Sequence, residues 1–97
     1  MATASVVVKV TAINVHVLIG DREVPLANDG NTWSGSLNDV LSCADAVKTL
    51  RIIAPAFTDW SIVVKCDGVK VLEDEGTTNK DPFVKRWPTV NAKPAQP

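Results

Sequence analysis

The side chains best equipped for covalent chemistry in this chain are one histidine, His16, and two cysteines, Cys43 and Cys66. A thiolate activated by an imidazole is a nucleophile, but only where the two groups lie within hydrogen-bond reach. His16 falls on the polar side of the alternating run VHVLI, where an exposed strand histidine belongs. No H-E-x-x-H pair, no G-x-S-x-G elbow and no glycine-rich phosphate loop occurs, and Gly35 in W-S-G-S-L has the wrong flanks for an elbow. The expectation is a non-enzymatic chain with no catalytic residues. The spacing of the two cysteines fits no metal motif. With no export signal in the sequence, both are expected as free thiols.

Two further groups could bind rather than react. Glu73, Asp74, Glu75, Asn79 and Asp81 crowd one stretch, and calcium favours flexible oxygen-rich loops. Their spacing departs from an EF-hand, so a solvated acidic loop is the preferred reading, with no metal site and no cofactor. Tyrosine is absent, and three tryptophans with two phenylalanines supply all the aromatic area. Trp60 sits on the apolar parity of its run and belongs to the core. Trp33 suits either the core or a second exposed ring. Trp87, beside Lys85 and Arg86 in the least regular segment, is the leading candidate for a binding residue. An exposed indole stacks on sugars or anchors a protein interface, and the adjacent cations suit an acidic partner or a cation–π contact. The candidate binding set is Trp87, Arg86, Lys85 and Trp33.

What must position these residues is a set of short strands. Residues 60–73 read as a hairpin, because Asp67-Gly68 between alternating apolar runs favours a type I′ turn. A lone hairpin is marginal in water, so further sheet must come from elsewhere. Val6, Val8 and Val10 alternate with Val7 and Lys9, and then Ile13, Val15, Val17 and Ile19 continue on the opposite parity. The change near Thr11-Ala12 implies a bulge, a strand break or a bend from one sheet to another. The valine-rich first strand would template another chain if it were an edge; otherwise it is central and fully paired. Gly20-Asp21 is a turn, and Arg22 to Leu26 is a short return strand that Pro25 confines to an edge. After the turn cluster at 28–31, Trp33, Gly35 and Leu37 share a face. Residues 38–46 leave room for one short helical turn capped by Asn38. Strand character resumes at 47–54, residues 74–81 read as a polar loop, and 82–90 as a last edge strand.

These signals recur about every 8 to 12 residues with no amphipathic helix, which predicts an all-β fold: an antiparallel, immunoglobulin-like β-sandwich of about seven short strands. A chain of 97 residues holds one domain, expected over 1–90, with a disordered tail at 91–97. Ten basic and eleven acidic side chains give a net charge of −1, which argues against nucleic acid and anionic membranes as partners. No apolar run approaches the roughly 18 residues of a membrane span, and the alternating start does not read as a signal peptide. The expected function is a protein-interaction or structural assembly module, binding a protein partner or its own copies through strand edges or loops. The alternatives are a carbohydrate-binding module using the tryptophans and a small inhibitor presenting its loops to an enzyme cleft.

Overall fold

Alternation of apolar and polar side chains builds two layers that bury their facing sides. The computed structural model describes residues 1–88, so the tail expected at 91–97 and the last two residues of 82–90 lie outside the described part. It is a β-sandwich of two antiparallel sheets. Among the described residues nine strands form it: β1 (Ala2–Val10), β2 (Asn14–Ile19), β3 (Arg22–Val24), β4 (Ala27–Asp29), β5 (Thr32–Val40), β6 (Lys48–Ile53), β7 (Asp59–Cys66), β8 (Val69–Thr77) and β9 (Phe83–Trp87). One sheet has the order β4-β5-β1-β7-β8 and the other β3-β2-β6-β9. Part of the excess over seven is the chain around Pro25, which is two three-residue strands, one in each sheet.

The valine-rich β1 is central, paired on one side with β5 and on the other with β7. Ala4, Val6, Val8 and Val10 face the core with Ile62, Val64 and Trp60 of β7. The parity change at 11–13 is a bend between sheets: β1 lies in one layer, β2 in the other. Ile13 in the bend is left exposed, while Val15, Val17 and Ile19 are buried against Leu50 and Ile52 of β6. The hairpin turn takes positive φ at both Asp67 (51°) and Gly68 (83°), as a type I′ turn demands. Its return strand is longer than expected. β8 runs on to Thr77, so residues 74–77 are strand and not loop, and a bulge between its pairings with Val64 and Lys65 is confined to the turn end.

Residues 38–40 extend β5, so Asn38 caps nothing; a single turn follows, with the Asp45 and Ala46 amides donating to Ser42 O at 3.0 and 2.9 Å. The buried Lys48 finishes that turn, its ammonium donating to the carbonyls of Cys43 and Ala44 at 2.7 and 2.9 Å. Burial pushes the Lys48 ammonium below its ordinary pKa, and the charge of Asp45 opposes the shift. The same turn corrects the expectation about the cysteines. Cys43 and Cys66 form a disulfide with Cα atoms 6.0 Å apart, fastening the loop after β5 to the end of β7. Proximity set by the two sheets decides the pairing, and no local spacing rule records it. Closing a loop of that length contributes roughly 3 kcal/mol by restricting the unfolded chain.

On one side of the sandwich the chain itself closes the gap between sheets, as β3 crosses through Pro25 into β4. The crossing lies so close to β5 that a Cβ at Gly35 would overlap the Pro25 carbonyl. Gly35→Ala should therefore cost about 2 kcal/mol, as an overpacked core does, and lower the melting temperature by about 10 °C. The double replacement Cys43→Ala, Cys66→Ala should cost roughly 3 kcal/mol, more than about 12 °C. Thermal unfolding followed by circular dichroism checks both. An unchanged midpoint in either would remove that contact from the account.

Candidate functional site

Strand alternation divides the predicted cluster of Lys85, Arg86 and Trp87. Lys85 pairs with Leu50 and Trp87 with Lys48, both inward-facing, whereas Arg86 pairs with Thr49 and points to the outer face, where it is exposed. Trp87 is half-buried, with its ring edge-on to Trp60 at 6.1 Å between centroids. Phe83, at the first inward position of β9, packs against Trp60 at 5.6 Å between centroids. The Lys85 ammonium stands 5.7 Å from the Trp60 ring and 5.6 Å from the Trp87 ring, within cation–π range of both. Trp60 itself is buried because Gly76 opposite it on β8 has no side chain; a Cβ there would come within 2.9 Å of the indole. Its Nε1 is the one buried side-chain nitrogen without a hydrogen-bond partner among the described residues.

The acceptor that Lys85 and Trp87 share is Asp74. On β8 it pairs with the inward-facing Ile62, which turns its carboxylate toward the other sheet. One oxygen, Oδ2, accepts from Lys85 Nζ at 3.0 Å and from Trp87 Nε1 at 3.0 Å; Oδ1 accepts from the Glu75 amide at 2.8 Å. The hydrogen bond from Lys85, then those from Trp87 and Glu75, hold the Asp74 carboxyl below its ordinary pKa against a smaller opposing effect of burial. The tryptophan at the centre of the predicted binding set is thus part of an internal clasp between the two sheets.

The other predicted residues are elsewhere. Trp33 is a core residue, 9% exposed and opposite Val8, with its Nε1 donating to Val10 O at 3.2 Å. Its expected alternative as an exposed binding ring is corrected by that burial. His16 lies on the outer face of β2, with Nδ1 2.8 Å from Glu23 Oε2. The disulfide leaves it no thiol to activate. The acidic stretch is split by alternation, with Glu73 and Glu75 outward and Asp74 inward. Among the described residues no three His, Cys, Asp or Glu side chains are grouped to hold a metal.

A site that sequence reasoning missed lies at the end of the sandwich where the loops 11–13, 30–31, 54–58 and 78–82 meet. Phe57 is 83% exposed and has φ of 68°, in the left-handed region that a bulky side chain avoids. Thr78, 1% exposed, holds it there. The Phe57 amide donates to Thr78 O at 2.7 Å, and the Thr58 amide donates to Thr78 Oγ1 at 2.9 Å. The Thr78 and Thr58 hydroxyls both donate to Pro55 O, at 2.9 and 2.7 Å. Ile13, at the same end, is 79% exposed and is fixed by its amide bond to Ile53 O at 2.8 Å. The only sequence signal was a phenylalanine two residues after a proline in a short link, which a core residue would match equally well.

No protein-family model, curated protein or solved structure matches this chain.

The clasp generates a pH dependence whose sign follows from Asp74. A carboxylate with a lowered folded pKa contributes fully above about pH 4, the ordinary carboxylate range, and loses that contribution as pH falls through the folded value. Melting temperature followed from neutral to strongly acid solution should fall at the acid end. Asp74→Asn should be less stable at neutral pH and should show a shallower acid fall; parallel curves would exclude the carboxylate as its source.

Proposed function

We propose that this protein is a non-enzymatic interaction module, built on an immunoglobulin-like sandwich, that binds another protein through the loop end carrying Phe57. The immunoglobulin likeness is one of architecture: two packed antiparallel sheets with loops gathered at their ends. The observation that carries the function is the conformation of Phe57. A left-handed non-glycine residue costs about 1–3 kcal/mol and persists only where its surroundings over-determine it. Here a buried threonine supplies four hydrogen bonds around the loop, and the ring so presented buries almost nothing of its own. A residue that costs stability without packing inside the chain is best explained by a contact outside it. Rigid, pre-ordered aromatic side chains are the usual anchors of protein interfaces, since little entropy remains to be lost on binding. Ile13 adds a second exposed apolar group at the same end. The carbohydrate alternative needs a free indole face, and it gains no support from tryptophans that are buried or clasped.

Placing a photo-crosslinking phenylalanine analogue at position 57, in cells that produce the protein, should give a discrete protein adduct. The same analogue at Ser34, exposed on the outer sheet face, should not. Equal yields at both positions, or none at 57, would overturn the reading. In the purified chain, Phe57→Asn should leave the melting temperature unchanged or raise it by a few degrees, because asparagine tolerates left-handed φ, while abolishing formation of the complex.

A further inference from the structure

The side of the sandwich closed by the clasp has two unpaired strand edges next to each other. Among the described residues β8 pairs only with β7, and β9 only with β6. They are antiparallel to one another across the sheets, at heights fixed by the contacts of Asp74 with Lys85 and Trp87. The two edges carry opposite charge on their outer faces. β8 presents Glu73 and Glu75, whose partners Val63 and Ser61 face outward with them, and β9 presents Val84 and Arg86.

We infer that this side is an interface for a second copy of the chain, in which β8 of each copy pairs antiparallel with β9 of the other. A two-fold axis running along the strands does this. It carries the β8 sheet of one copy into line with the β9 sheet of the next and preserves strand heights. Arg86 of the second copy then lies on the same outer face as Glu73 and Glu75 and at their level. The operation joins both edges at once, producing two continuous sheets of nine strands, five from one copy and four from the other. It is closed, so assembly stops at two.

Charge selects this pairing over its competitors. Joining β8 to β8 would gather Glu73 and Glu75 of both copies on one face of the junction, and joining β9 to β9 would gather both Arg86 side chains on one face. Like charges directly opposite across a strand pair are unfavourable. Strand length fits as well. β9 has five residues between Pro82 and Pro88, and β8 offers a run of five, from Leu72 to Gly76, clear of the bulge at its other end and in a register that sets Arg86 opposite Glu73 and Val84 opposite Glu75. Prolines cannot extend a ladder, so the junction is confined to those residues. This interface stands on observations separate from the Phe57 end, and either could fail without the other.

Light scattering or sedimentation of the full chain over a range of concentrations tests it. The expected result is a reversible dimer that weakens with salt, as exposed ion pairs do. Arg86→Glu alone, and Glu73→Lys with Glu75→Lys, should each raise the dissociation constant at least tenfold. Mixing the two variants should restore dimerisation, because a mixed pair has one reversed and one native junction, both complementary. A monomer at every concentration would overturn the inference. So would a dimer that tolerates both reversals, or variants that do not rescue each other when mixed.

Discussion

A two-sheet sandwich must keep water from its core along the two sides where the sheets run out, and this protein closes them by different physics. On the first side the backbone does it. The chain passes from β3 to β4 through Pro25, and Gly35 beneath supplies the space. On the second side no chain crosses among the described residues, so side chains must span the gap. An ammonium, an indole N–H and a carboxylate meet there over two tryptophan rings. A carboxylate facing a core is tolerable only when its oxygens are satisfied by strong donors, and charge-assisted bonds are the strongest available. Asp74 meets that condition at the place where β8 would otherwise need an apolar residue. The aromatic stack is tied to it through Trp87, which meets Trp60 edge-on and donates to Asp74.

The two ends of the sandwich differ in the same way. At the end holding the hairpin turn, the disulfide, the Lys48 ammonium and the reciprocal bonds between Thr3 and Asp67 tie loops to strands. Left-handed residues occur there too, at Asp39, Ser42 and Asp67. Short polar side chains adopt that conformation at modest cost, and Asp67 belongs to a turn that requires it. At the opposite end the left-handed non-glycine residue is Phe57, a bulky side chain at a turn position that favours glycine or asparagine.

Most of the layer architecture was legible in the sequence because strands have a period of two. The parity of β1 and β2 located the bend between sheets, Asp67-Gly68 located the hairpin, and Pro25 marked an edge. Alternation also held the information that Lys85 and Trp87 face one way and Arg86 the other. Reading the three as a consecutive basic–aromatic patch treated the segment as irregular and discarded that information. What no local pattern recorded were contacts between distant segments: Cys43 with Cys66, Asp74 with Lys85, Thr78 with Pro55. Each depends on strand order, and strand order is decided by which faces bury best together. The acidic stretch illustrates the point. Its composition reads as a solvated loop, yet pairing with β7 makes it a strand that sends one acid inward and two outward.

β8 therefore connects features that look separate. Its inner face supplies Asp74 to the clasp, and its outer face supplies Glu73 and Glu75. Its last residue, Thr77, donates to Asp59 at 2.8 Å just before Thr78 enters the Phe57 loop. All of these positions follow from a single register against β7. A slip of one residue would exchange an outward glutamate for Asp74 and carry Thr78 away from the Pro55 carbonyl, because side chains change face at every step. The bulge near the turn absorbs the one irregularity of the hairpin at its far end, leaving the ladder from Leu72 to Thr77 unbroken. The pairing that closes the core thus also fixes the charge pattern on the open edge and the loop that holds Phe57 outward.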